Sequence, residues 1–296
     1  MWCNYAPFYY KFKELHQLLS FRKIYAEIHE NTSPDSVCAV GIHGVMLDHH
    51  LMSSWLHPIL SSYRLFEEIY PDLPGMGKTA ADGFPDTSDG IADVLAYFIR
   101  RHAQGRPVLL IGHSFRGYLA SRLSGLLADQ LVGQIYICPV TVPYRVDRKM
   151  PEDLTPESSY IPPEPVSAGE LALYENAFIV RNAATWQIFR RLVLPAVQIC
   201  DRDYLKKLQS KGHYELHQQP GVSEKCVESP SLYLLGKKDN TAGWENAIAF
   251  ASQSAASAIC IAEHAGHLLP SESPDIFTAA VQDFLNLIRA PHQAPS

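Results

Sequence analysis

The sequence predicts an α/β fold with a mostly parallel central sheet, helices on both faces and an inserted helical cap. Three observations predict it. Short apolar runs alternate with amphipathic stretches along most of the 296 residues, the pattern of parallel strands joined by crossover helices. The run "PVLLI" (107–111) breaks at Gly112-His113-Ser114 directly into a helical stretch. Finally, the alternation stops between about 141 and 225, where prolines and then helical segments replace it.

Taken in order, "FRKIYAEIHE" (21–30) alternates apolar and polar residues and suits a half-exposed edge strand, and "SVCAVGIHG" (36–44) reads as a buried strand ending in glycine. "YRLFEEIYPDLPG" (63–75) places a strand before a Pro-Gly turn. In "SDGIADVLAYFIRRHAQG" (88–105), Ile91, Val94, Leu95, Phe98 and Ile99 recur at helical spacing, with Ser88 or Asp89 as the cap and Gly105 as the stop. The strand "RPVLLIGHS", the helix "FRGYLASRLSGLLADQ" and the strand "GQIYICPV" (133–140) follow. Beyond the break, the strand "SLYLLGKKD" (231–239), the helix "WENAIAFASQ", the strand "SAICIAEHAGH" and the helix "PDIFTAAVQDFLNLIR" resume the rhythm. The expected division is a core of 21–140 and 226–290, a helical cap over 141–225, and an N-terminal extension, 1–20, of no evident role. Helices inserted after the strand at 133–140 would lie over the sheet's carboxyl edge, where open α/β sheets bind ligands.

Composition bounds the function. Hydrophobic residues make up 47% and charged residues 19%, enough for a sizeable core. A formal charge of −6 without a basic block argues against nucleic acid. No run reaches the roughly 18 apolar residues of a membrane span, and Lys11, Lys13 and Glu14 interrupt what a signal peptide would need to keep apolar. Six scattered cysteines (Cys3, Cys38, Cys138, Cys200, Cys226, Cys260) with no CxxC pair read as reduced thiols. The expectation is a cytoplasmic protein with a small-molecule substrate and no membrane or nucleic-acid partner; a homodimer stays open.

Three segments carry chemistry. Ser114 sits where a nucleophile elbow would present its hydroxyl between strand and helix, with the first helical amide, that of Phe115, aimed at a developing oxyanion. His267 follows a strand and precedes the last helix, within reach of such a serine; His264 is its competitor. Asp239, at the end of a strand, would hold the imidazole tautomer. Asp147, Asp201 and Asp203 are weaker choices for that role. His43-Gly44 after a buried strand would place the Val45 amide as second oxyanion donor. "DHH" (48–50), with His57 nearby, resembles a metal cluster, but adjacent histidines in a strand or loop point apart, so no metal is expected. "GMGKT" (75–79) ends like a phosphate loop, yet position 72 is Asp where that spacing requires Gly.

"IHG", "PDLPGMGKT", "IGHSFRGYLA", "LLGKKD" and "AGH" together resemble the α/β-hydrolase fold superfamily over most of 21–288, with 141–225 in the place of the lid. The pattern is closest to small bacterial-type hydrolases whose elbow reads G-x-S-x-G-G-Y-L-A. The resemblance implies a Ser114-Asp239-His267 triad, no cofactor, and attack on an ester, thioester, lactone or activated C–C bond. A serine nucleophile departs from the dehalogenases and epoxide hydrolases of this fold. Leu268 departs from the tryptophan typical of its carbon–carbon hydrolases, and Val45-Met46-Leu47 from the glycine-rich loop of proline iminopeptidases. A carboxylic-ester hydrolase is the expectation. The cap aromatics Tyr174, Phe178, Trp186 and Phe189, together with His43 and Gly44, are candidate pocket residues.

Arg116 is the departure that matters most, since it replaces the second elbow glycine. If its stem swings outward, Gly117 can supply the close approach. If the guanidinium instead competes for Asp239, the protein would be an impaired hydrolase that binds or senses. A C–C hydrolase or lyase in the same pocket is a further alternative.

Overall fold

The computed structural model describes residues 23–216 and 229–289 and leaves the side chains at 116, 120, 121 and 289 undescribed. The expectations for 1–20, for Cys3 and Cys226, for the end of the cap and for the Arg116 side chain therefore lie outside the described residues.

Seven strands among the described residues form one sheet in the order β1-β3-β2-β4-β5-β6-β7. They are β1 (Ala26–His29), β2 (Val37–Ile42), β3 (Phe66–Pro71), β4 (Val108–His113), β5 (Leu131–Ile137), β6 (Ser231–Gly236) and β7 (Ser257–Ala262). Only β1, at one edge, runs antiparallel to its neighbour; every other pair is parallel. The predicted fold class is therefore the observed one.

Helices cover both faces, which is why the inner strands read as continuous apolar runs. Their side chains alternate between two cores. Val40, Leu110, Tyr136 and Tyr233 face one core with α2 (Ser88–Ala103) and α3 (Phe115–Leu126). Ala39, Ile111, Ile135 and Leu234 face the other, with α1 (His49–Leu60) and a long C-terminal helix, Pro274–Arg289.

Two local expectations need correction. Helix α2 is capped by Thr87, whose side chain accepts from the Gly90 amide, not by Ser88 or Asp89. The stretch "DHHLMSSWLHPIL" is a helix where no element was expected; Asp48 caps it, and Leu51, Met52, Trp55, Leu56, Ile59 and Leu60 fill its buried face.

Between β5 and β6 the described chain contributes helices and no strand: α4 (Ala168–Ala177), α5 (Ala183–Ile188), α6 (Leu194–Ile199) and α7 (Arg202–Leu208). A π-helical turn, Phe189–Val193, joins α5 to α6 just before Pro195, which can neither donate an amide nor continue a regular ladder. The C-terminal part of the chain adds α8 (Glu245–Ala251), α9 (Leu269–Glu272) and α10 (Pro274–Arg289). No helix among the described residues is long and apolar enough to cross a membrane.

Candidate active site

Ser114 lies between β4 and α3 with φ 60 and ψ −123, a conformation that L residues rarely adopt. Main-chain bonds hold it there. Its amide donates to the Ile137 carbonyl at 3.0 Å, and its own carbonyl accepts from Gly117 and Val140, both at 2.9 Å. Helix α3 leaves the turn very close to the end of β5. A Cβ at Gly117 would fall 2.1 Å from the Pro139 Cβ and 2.7 Å from its Cα. The close approach is thus made at 117, one residue beyond the position where the elbow pattern has its second glycine.

The loops after β6 and β7 bring two further groups to this turn. His267 Nε2 is 2.8 Å from Ser114 Oγ, and His267 Nδ1 is 2.9 Å from Asp239 Oδ2. The second Asp239 oxygen accepts from the Thr241 and Ala242 amides at 2.8 and 2.9 Å. Burial by itself would raise the pKa of this fully enclosed carboxyl. The His267 charge, the bond to its ring and the two amides together outweigh that and hold it below the usual carboxylate value.

His113, inside the elbow, has a role that sequence reasoning missed. Its Nε2 donates to the His267 carbonyl at 3.0 Å, so the strand that carries the serine also braces the histidine loop. Burial first, and then the nearby His267 charge, push the His113 pKa down to about 3, so the ring stays neutral. Nothing in "GHS" signals this, because the bond reaches a backbone carbonyl more than 150 residues later.

The remaining candidates separate. His264 is 76% exposed and pairs with Glu157, away from the serine. Asp201 caps α7, Asp147 sits exposed in a 3₁₀ turn, and Asp203 is an exposed charge. Val45 and Phe115 line the cavity beside Ser114 and His267. That cavity measures about 540 Å³, and Phe189 and Val193 from the π-helical turn and Val197 from α6 form part of its wall.

Five pocket candidates lie elsewhere. Tyr174, Phe178 and Trp186 pack on one another inside the inserted segment; the Tyr174 and Trp186 rings meet edge to face at 4.9 Å. His43 is buried behind the site, with Nδ1 donating to the Gly44 carbonyl and Nε2 accepting from the Leu73 amide. Gly44 does not form wall either; a Cβ there would come within 2.8 Å of the His113 ring and 3.0 Å of the Ser114 Cβ, so it lets the loop after β2 lie against the elbow.

The "DHH" stretch is helical, so the expectation that its two rings point apart fails: their centroids are 3.8 Å apart. Asp48, His49 and His50 do bring potential ligand atoms within 4.8 Å of one another. Those atoms have structural partners: Asp48 accepts from the His50 amide, and His49 Nδ1 bonds Asp72. His57 turns instead to Glu68. In "GMGKT", Asp72 accepts the Lys78 amide, and Lys78 Nζ reaches the Tyr25 hydroxyl. The four described cysteines are free, three of them buried.

Comparison with known proteins places the fold. The model of a family described as the alpha/beta hydrolase family matches residues 39–280. An alpha/beta superfamily hydrolase from Oenococcus oeni PSU-1 superposes with a TM-score of 0.77 at 23% identity, covering 90% of this chain and 99% of the other. A thermophilic esterase from Thermogutta terrifontis gives 0.60 at 19% identity over 90% and 93% of the two chains. An esterase from Exiguobacterium antarcticum gives 0.67 at 15% identity over 90% and 96%. These are likenesses of fold. No curated protein matches the chain.

Proposed function

The chain belongs to the alpha/beta hydrolase family, and from that premise we propose that it is a serine hydrolase that cleaves a small carboxylic ester or a related acyl bond (thioester or lactone). One observation carries this reading: the unbroken chain of hydrogen bonds from Asp239 through His267 to Ser114. Two of the similar structures are esterases by their own descriptions, which supports the same choice.

Each group has a role in the proposed reaction. His267 Nε2 accepts the Ser114 proton as Oγ attacks the carbonyl carbon, and it returns that proton to the departing alcohol oxygen. The carboxylate of Asp239 fixes the Nδ1–H tautomer and stabilises the imidazolium; its lowered pKa keeps it ionised for this. The Phe115 amide, at the start of α3, and the Val45 amide receive the oxyanion. Water then repeats the attack on the acyl-serine, with His267 again as base, to release the acid.

Gly117 bears on the place of Arg116 in this reading. The helix is already accommodated beside Pro139 at 117, which favours a competent elbow over an impaired one. A fluorophosphonate probe tests the proposal. It should label wild-type protein at Ser114 and leave Ser114→Ala unlabelled, with p-nitrophenyl ester turnover lost in parallel. Absence of labelling in folded wild-type protein would refute it.

A further inference from the structure

We propose that the substrate carries a carboxylate, received by Arg145 and Arg148 at the wall of the cavity that opens over Ser114. This rests on the hydrolase reading above and adds the class of ester.

Both arginines line the cavity, and among the described residues no aspartate or glutamate does. In a chain of net charge −6, that concentration of positive charge runs against the average. The partners of the two guanidinium groups are the decisive feature. Arg148 donates from Nε to the Val142 carbonyl at 2.8 Å, from Nη1 to that of Thr241 at 2.7 Å and from Nη2 to that of Pro143 at 2.5 Å. Arg145 Nη1 donates to the Asn240 carbonyl at 2.7 Å. These bonds fix the groups in place without neutralising them. Elsewhere in the molecule Arg100, Arg106 and Arg122 each meet a carboxylate.

Arg148 is half-buried, and burial pushes its pKa below the usual arginine value, with the Tyr214 hydroxyl beside it acting in the opposite direction. The Asp239 charge acts on it in that same upward direction, while that carboxylate's own hydrogen bonds go to His267, Thr241 and Ala242. Facing a ligand cavity, the Arg148 guanidinium is a receptor for an anion, and its planar fork matches a carboxylate.

Position then defines the substrate. The acceptors of Arg145 and Arg148 include Asn240 and Thr241, the residues after Asp239. The cationic wall therefore stands on the triad-acid side, while Phe189, Val193 and Val197 supply apolar wall. An ester with a short hydrocarbon spacer and a free terminal carboxylate, such as a dicarboxylic acid half-ester, satisfies both. In its hydrolysis one water is consumed, the acyl C–O bond breaks, and the products are the dicarboxylic acid and the alcohol, whose oxygen takes its proton from His267.

The test separates recognition from turnover. Ser114→Ala protein is titrated calorimetrically with monomethyl adipate and with dimethyl adipate, alone and combined with Arg145→Gln or Arg148→Gln. The half-ester should bind about tenfold tighter or more, with a preference that weakens as salt rises. Either arginine substitution should reduce that preference at least about fivefold. Arg148→Gln removes three bonds that tie loops together; Arg145→Gln removes one exposed bond and keeps the test decisive if the former fails to fold. Equal affinities, no binding of either ester, or a preference unchanged in Arg145→Gln overturns the proposal. An arginine-dependent preference in a protein whose wild type takes no fluorophosphonate label would support carboxylate recognition and refute hydrolysis alone.

Discussion

Replacing Ser114 by glycine and, separately, by alanine isolates the strain stored in the elbow. Both variants lose the 2.8 Å bond to His267 Nε2 and with it the proposed nucleophile. Alanine keeps a Cβ at φ 60 and ψ −123, and so keeps the strain. A residue held in such a conformation costs about 1–3 kcal/mol. Glycine removes that cost but brings more freedom to the unfolded chain, a penalty of about 0.5–1 kcal/mol. The glycine variant should therefore be the more stable of the two by about 0.5–2 kcal/mol. With an unfolding entropy near 2.1 cal/mol/K per residue, a chain of 296 residues would show a Tm difference of roughly 1–3 °C. Scanning calorimetry with matching urea midpoints reads it directly. A glycine variant that melts at or below the alanine variant would mean that Ser114 is not strained, and the account of the elbow would fail.

The remaining predictions concern neighbours of that turn. Gly117→Ala should destabilise the fold by about 1–3 kcal/mol, because its Cβ would meet Pro139 backbone at 2.7 Å. Arg116→Gly should leave ester turnover within about twofold of wild type, since the close approach does not depend on position 116; a gain of tenfold or more would show a damaged elbow. His113 should make the protein acid-sensitive. Its pKa falls from 6.5 to about 3 on folding, so the unfolded chain binds the extra proton, and the stabilisation is whole above 6.5 and lost as pH falls toward 3. The slope attributable to it is at most about 1.4 kcal/mol per pH unit. His113→Leu should flatten urea-derived stability between pH 6 and 4 by up to one proton, and should lower kcat by about tenfold through loss of the brace on His267. An unchanged slope would mean that the ring is not held neutral.

How much of this was legible in the sequence depends on the range of the interaction concerned. β4, the turn at Ser114 and α3 are contiguous, so one stretch of sequence carries apolar strand, elbow and helix together. Asp239 and His267 were legible as chemistry-bearing residues at strand ends, because a parallel sheet delivers such ends to one edge. Helix α1 was missed although its apolar spacing is regular; Pro58 and three histidines made the stretch resemble a loop. The aromatics of the inserted helices show a different limit. Helical spacing cannot distinguish a side chain facing a cavity from one facing its own helix partners, and here the π-helical turn before Pro195 helps put Phe189 and Val193 on the wall while Tyr174 and Trp186 stay inside. Arg145, Arg148 and Glu272 had no sequence signal, since each acts on backbone groups of a distant loop.

Glu272 and Arg148 also show what positions Asp239 and His267. Glu272, nearly buried, accepts from the amides of Ile179 and Val180 in the inserted segment and from Gly266, the residue before His267. Burial outweighs those three bonds and raises its pKa. On the other side, Arg148 bonds the Thr241 carbonyl, and Lys238 reaches the Thr155 carbonyl and the Glu157 carboxylate, so the loop that carries Asp239 is fastened to the same segment. Ser114 differs: its main-chain bonds go to Ile137 and Val140, at and just beyond the end of β5. Ser114 is thus set by the sheet, whereas Asp239 and His267 are set by loops whose braces come in part from the helical insertion. A change in the insertion that disturbs these braces would displace His267 and Asp239 relative to a serine that stays in place. In the proposed reaction, the 2.8 Å reach between His267 Nε2 and Ser114 Oγ is therefore the quantity through which the insertion would act on the rate.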